Sequence, residues 1–175
     1  MEKNIVTTSN NDGSTHDVFR TRKLLNNVSS QARQSPRLRK NYNFHNSDQD
    51  VCHRLLNAME PESYIQPHRH LDINKDETLV VLSGKFGVLL FDDKGVVTEK
   101  GILDATGETI IANMPHGIFH TLLSLETGSV FFESKAGPFK PLSQDEKARW
   151  APEEGDHRSK EFLATMNKLF DQERR

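Results

Sequence analysis

From Val51 onward, short apolar runs alternate with polar, turn-forming stretches at regular intervals, a texture that predicts strands. Candidate strands run from Val51 to Met59, Tyr64 to His70, Leu79 to Leu82 and Phe86 to Phe91. Four more cover Val96 to Glu99, Thr109 to Ala112, Phe119 to Ser124 and Ser129 to Lys135. Ser83-Gly84-Lys85 reads as a tight turn, and Asp92-Asp93-Lys94-Gly95, Asp104-Ala105-Thr106-Gly107-Glu108 and Glu126-Thr127-Gly128 supply the other turn chemistry. So many short strands in so few residues exceed what one helix-backed open sheet holds. A barrel or double-sheet sandwich fits, because closure removes exposed strand edges.

The flanks follow another rhythm. Leu24, Leu25 and Val28 recur at helical spacing, which predicts a helix from Thr21 to about Gln34 with Thr21 as N-cap and Pro36 beyond its end. Val18 and Phe19 suit a short edge strand or a lid segment. After Pro138 and Pro141 the strand pattern breaks, and Trp150-Ala151-Pro152 falls in a loop. Phe162, Leu163, Met166, Leu169 and Phe170 then form the stripe of an amphipathic helix that packs on the barrel or on a partner, the barrel being favoured. The expected organisation is a disordered tail over 1–16, a helical and loop extension over 17–50, the barrel over 51–140 and a C-terminal loop and helix over 141–175.

Composition adjusts this picture modestly. Only 34% of the 175 residues are hydrophobic, in keeping with part of the length being tail. A net charge of -2 gives no reason to expect nucleic acid or a membrane surface. No apolar stretch approaches the roughly 20 residues of a membrane span. The first fifteen residues lack a basic region followed by an apolar core, so no secretory signal is expected. The single cysteine, Cys52, excludes an internal disulfide, suits a cytoplasmic protein, and is expected to be packed rather than reactive. Arg33, Arg37, Arg39 and Lys40 lie in a stretch from Val18 to Ser47 without one acid. Such a cluster is a solvated helix end or a grip on an anionic ligand, and the first is favoured.

The candidate chemistry starts at His68-Arg69-His70. Residues two apart on a strand share a face, so both imidazoles can reach one ion. Glu77 follows after a turn, and His120 opens a later strand in which alternation places His120, Leu122 and Ser124 together. Three histidines and a carboxylate suit one divalent ion: Fe, Mn, Zn, Ni or Co. A histidine pair alone is weak, and it is the combination that counts: HxH, Glu77, Gly84, then Pro115-His116-Gly117-Ile118-Phe119-His120. Asp72 or Asp76 stands as an alternative to Glu77, and His45 as a reserve ligand. His116, Tyr64 and Glu133 are candidate proton carriers or polarising groups. Arg37, Arg39 and Lys40, with Asn41, Asn43 and His45, are candidate ligand contacts. His53 and His157 read as surface. Phosphate loops, nucleophile elbows and paired CxxC patterns do not occur.

Pro67 through Gly84 resembles the first cupin motif, and Pro115 to His120 resembles the second. The resemblance maps that superfamily's metal ligands onto His68, His70, Glu77 and His120. Two departures stand out: a longer gap before Glu77, and Ser124 where asparagine is common. Four further segments resemble the WbuC-type cupin fold metalloproteins: Ser35 to His45, Arg54 to Pro61, Lys135 to Phe139 and Trp150 to Gly155. The likeness spans about residues 20 to 157. It implies a double-stranded β-helix (jelly-roll) barrel, a homodimer, and a bacterial role in surface-polysaccharide (O-antigen, lipopolysaccharide) biosynthesis with a small carbohydrate-like ligand. It does not imply a settled reaction. Three readings remain: a Lewis-acid isomerase, epimerase or lyase (an oxygenase if the ion is iron), a non-catalytic saccharide or small-acid binder, and a barrel stapled by its metal.

Overall fold

The computed structural model describes residues 18–172, so the expected tail over 1–16 lies outside the described residues. Helix α1 spans Arg22–Gln34, and eight strands follow in the order β1 (Arg39–Asn43), β2 (Cys52–Met59), β3 (Glu77–Ser83) and β4 (Lys85–Phe91), then β5 (Val97–Asp104), β6 (Ile111–Met114), β7 (Phe119–Ser124) and β8 (Ser129–Ala136). Helix α2, Ser159–Lys168, comes last. The strands form two antiparallel sheets, one ordered β1-β2-β8-β3-β6 and the other β5-β4-β7. This is the expected mainly β jelly roll, with a helix at each end of the chain.

Three apolar clusters explain the layering. Between the sheets lie Met59, Leu79, Val81, Phe86, Leu122 and Phe131 among others. Outside the larger sheet, Val28 and Ala32 of α1 cover Leu56, Ala58 and Val130. Outside the smaller sheet, Leu163 and Met166 of α2 and the following Phe170 cover Leu89, Phe91, Phe119 and Leu123. Each sheet is therefore buried on both faces over much of its area. That is why β7 has six buried residues in succession rather than an alternation. The C-terminal stripe packs on its own barrel as expected, through Leu163, Met166 and Phe170, while Leu169 stays 38% exposed.

The corner between β3 and β4 fixes how the sheets meet. Ser83-Gly84-Lys85 is the expected tight turn, and because β3 and β4 belong to different sheets the chain crosses there from one to the other. Gly84 has φ +70, and a Cβ would sit 2.2 Å from the Ser129 hydroxyl, so the corner needs glycine on both counts.

Other expectations need correcting. Arg39 to Asn43, expected as part of a loop, is strand β1, paired with β2 along the sheet edge. Tyr64 to His70 forms no strand. It carries one bridged residue, His68, next to Pro67, which offers no N–H to extend a ladder. Val18 and Phe19 carry no regular structure and are 72% and 64% exposed, since nothing packs over them. Cys52 is exposed, not packed: it alternates with inward-facing His53 and Leu55 and lies on the outer face. The strand expected over Thr109 to Ala112 runs instead from Ile111 to Met114, where it pairs with β3. Among the described residues, no helix is long and apolar enough to cross a membrane.

Candidate metal centre

The inward faces of β3, β7 and β8 meet the 64–70 segment at one end of the barrel. His120 lies on the inner face of β7, one residue from Phe119 and Thr121, which face outward. His68 is held beside it by reciprocal backbone bonds, His68 N–H to His120 O at 3.0 Å and His120 N–H to His68 O at 2.8 Å. On its other side the segment is bonded to residues 146–148, through Arg69 N–H to Glu146 O and Ala148 N–H to Pro67 O. The Gly117 N–H donates to His70 O at 2.7 Å and ties the second-motif loop to the first. Glu77 opens β3, flanked in register by Lys135 and Met114.

Donor atoms of His68, His70 and Glu77 lie within 4.8 Å of one another. His70 Nε2 is 2.8 Å from Glu77 Oε1, and His120 Nε2 is 3.1 Å from Glu77 Oε2. His68 Nδ1 faces the Gln66 carbonyl at 3.1 Å and His120 Nδ1 faces the Ile118 carbonyl at 2.9 Å. A carbonyl only accepts, so each Nδ1 carries the proton and each Nε2 keeps a lone pair. In His120 that lone pair would point at a carboxylate oxygen, an arrangement that calls for a cation or a second proton between them. The donor set therefore fits a divalent ion, with two imidazoles already in the ligating tautomer and a carboxylate at hand.

Electrostatics agree with this fit. Burial, reinforced by His120, pulls His68 down from 6.5 to about 3, which keeps it neutral. Burial alone would raise the Glu77 carboxyl, but the close approach of the His120 and His70 rings, with the Lys135 charge, outweighs it and holds it well below the usual carboxylate range. Beyond the donors, Glu146 accepts from the Leu71 N–H and lies 4.0 Å from His70 Nδ1.

The donors open on a cavity of about 510 Å³ that reaches the surface, lined by His68, Glu77 and His120 and by apolar Leu55, Leu79 and Phe131. Arg37, Arg39 and Asn41 also line it, and so does Glu133, whose Oε2 accepts from Asn57 Nδ2 at 2.7 Å. Arg39 is held by Glu154 at 2.5 Å and by the Tyr64 carbonyl at 2.7 Å.

Several candidates stand elsewhere. The Tyr64 hydroxyl donates to Pro152 O at 2.7 Å inside the α2 cluster, and burial raises its pKa, so it faces away from the donors. His116 is half-buried and bonded to Asp76 at 2.8 Å rather than lining the cavity. Lys40 and Asn43 are exposed and do not line it; on β1, alternation turns Lys40 away from Arg39 and Asn41. His45 is buried and stacked on His53 at 4.0 Å, its Nδ1 occupied by the Arg54 backbone. That contact removes it as a reserve ligand and corrects the surface reading of His53, which is 4% exposed. His157 is at the surface as expected. Asp72 and Asp76 are turned outward, so Glu77 alone of the three carboxylates meets the histidines. Sequence reading missed Lys135, whose Nζ lies 2.6 Å from Glu77 Oε1 and 2.5 Å from Glu133 Oε1. Period-two alternation from Glu133 was the signal for it.

Comparison with known proteins adds the following. Residues 20–103 match a family described as a domain of unknown function, DUF6016. No curated protein matches the sequence. CapF of Staphylococcus aureus, a capsular polysaccharide assembling protein, superposes with TM-score 0.50 at 16% identity, over 62% of this chain and 29% of its own. KdgF from Halomonas sp. gives 0.47 at 19% identity, over 61% of this chain and 84% of its own. Lactobacillus farciminis oxalate decarboxylase gives 0.43 at 16% identity, over 59% and 29%. The chain thus spans under a third of CapF and of the decarboxylase. At such identities the likeness is one of fold; the CapF superposition, with the two-sheet topology, gives the chain a cupin-type fold.

Proposed function

We propose that the chain holds one divalent metal ion through His68, His70, Glu77 and His120 and binds a small, polar, carbohydrate-like ligand beside it. The single observation that carries this reading is the donor cluster itself: His68, His70 and Glu77 bring ligand atoms within 4.8 Å of one another, His120 meets the second Glu77 oxygen, and His68, Glu77 and His120 line one cavity. Bound there, the ion supplies Lewis acidity towards a carbonyl or hydroxyl of the ligand. The protein's own part is to exclude bulk water with Leu55, Leu79 and Phe131 and to present polar groups from Asn41, Asn57 and Glu133. The placement of this chemistry in bacterial surface-polysaccharide biosynthesis, in a cytoplasmic homodimer, rests on the resemblance of its segments to the WbuC-type proteins. The likeness to CapF is of fold alone.

A second reading, ligand binding without turnover, draws on one observation. Of the three candidate proton carriers, Tyr64 and His116 lie outside the cavity, and only Glu133 lines it. Against it, the cavity is not apolar beyond the donors, since Glu133, Lys135 and Asn57 stand within it.

The test is elemental analysis of tag-free protein beside a His68→Ala/His120→Ala variant. About one equivalent of metal per chain in the wild type, lost in the variant, is the expected result. Wild-type protein that is metal-free and takes up none of Fe, Mn, Ni, Co or Zn would end the metal reading.

A further inference from the structure

Lys135 is an unusual residue to find on the inner face of a barrel. Its side chain is 21% exposed, and it lines the cavity. β8 places it there by alternation: Phe131, Glu133 and Lys135 all face inward. Register sets Lys135 directly opposite Glu77 on β3. Its ammonium donates to Glu77 Oε1 at 2.6 Å and forms an ion pair with Glu133 Oε1 at 2.5 Å. Asn57 holds the far oxygen of Glu133, so that carboxylate is fixed at both ends.

The charge on the cavity walls then has a consequence. Glu77 and Glu133 flank Lys135, and Arg37, Arg39 and Lys147 line the same cavity with Glu153 and Glu154. Four cationic side chains, Arg37, Arg39, Lys135 and Lys147, face four carboxylates, Glu77, Glu133, Glu153 and Glu154, so these wall charges balance. A divalent ion among the donors leaves the cavity with a surplus of positive charge, and a ligand that completes it electrostatically is an anion. Lys135 is bonded to the same Glu77 carboxylate that the histidines approach, so a ligand oxygen resting on another N–H of its ammonium lies next to the ion.

Building on the metal reading above, we infer that Lys135 is a specificity-determining residue that grips an anionic oxygen of the ligand, and that the ligand class is an acidic sugar rather than a neutral one. Lysine serves as a point charge that accepts varied approach directions, whereas Arg39 is already committed to Glu154 and the Tyr64 carbonyl.

The probe is the absorption spectrum of the cobalt(II)-loaded protein, titrated with D-glucuronate and, separately, with methyl β-D-glucoside. Glucuronate is expected to half-saturate the spectral change at a concentration at least ~10-fold lower than the neutral glycoside. Glu133→Gln/Lys135→Met removes one charge of each sign, keeps the walls balanced, and should load cobalt yet lose this preference. Lys135→Arg should retain it. Should the double variant fail to fold or load, Glu133→Gln alone decides: freeing Lys135 from one partner should widen the preference several-fold, and an unchanged or narrowed one overturns the inference. Equal or absent responses to the two probes in wild type also overturn it, as does a preference that survives in the double variant, which would assign the anion to the ion alone. Wild type that takes up no cobalt refutes the metal reading itself, and with it this inference.

Discussion

His68 is open to the cavity yet enclosed by protein, and it stays neutral to about pH 3 in the fold against about 6.5 for an ordinary histidine. Its folded pKa is depressed, so the unfolded chain binds its proton first. The stability it contributes is present above about 6.5 and is lost as pH falls towards 3. Glu77 has the same sign: its folded pKa is held below 4.5, so its contribution disappears further down the acid range. Chelator-treated protein should therefore melt at progressively lower temperature from pH 6.5 downward, with a slope of at most about 1.4 kcal/mol per pH unit from His68. Glu77 joins below 4.5 and steepens the fall. Thermal melts across pH 3.5–7 in chelator check this, and a midpoint flat from 6.5 to 5 contradicts it. At this scale much of the donor set was legible, because HxH on an extended segment and a histidine on an alternating strand constrain direction. Tyr64 and His45 were not: whether a polar tip finds a cavity or a backbone carbonyl depends on what packs beside it, here Pro152 and Arg54.

The elements show why both helices are needed. α1 and α2 each cover the outer face of one sheet, so each replaces water over strands whose outward residues are apolar. Phe170, just past the end of α2, is fully buried at Gly87 of β4, where a Cβ would lie 2.6 Å from the ring. Phe170→Ala should cost about 3–4 kcal/mol, the range for a buried phenylalanine whose site cannot collapse. Chemical denaturation measures it, and a cost under about 1 kcal/mol would show that α2 is not an integral layer. Most of the strands and both helices could be read from sequence, since period two and period 3.6 are strong where elements are long. Tyr64 to His70 misled because its apolar positions pack like a strand's while Pro67 and sparse bridging deny it a ladder. Arg39 to Asn43 misled in the opposite sense: an edge strand of mostly polar residues has little hydrophobic pattern to show.

Across the whole molecule, a layered jelly roll assembles its candidate centre from parts far apart in sequence. What was hidden in the sequence is the charge arrangement, because Lys135, Glu133 and Asn57 come together only through the β2-β8-β3 register. Chain order places the 145–148 segment well after the last donor, yet it flanks His68 on the side opposite β7. That double bridge links timescales. An ion clamping His68 would slow the opening of residues 64–70, and the segment laid against them would have to wait for the same opening. On adding zinc, hydrogen exchange at the Arg69 and Ala148 amides should slow together, while the paired amides of β1 keep their rates. Protection of Arg69 without Ala148 would separate the two. If they move as one, a stretch that supplies no donor reports occupancy at a distance, and nicking by a protease near residue 145 becomes a clock for how long the ion stays.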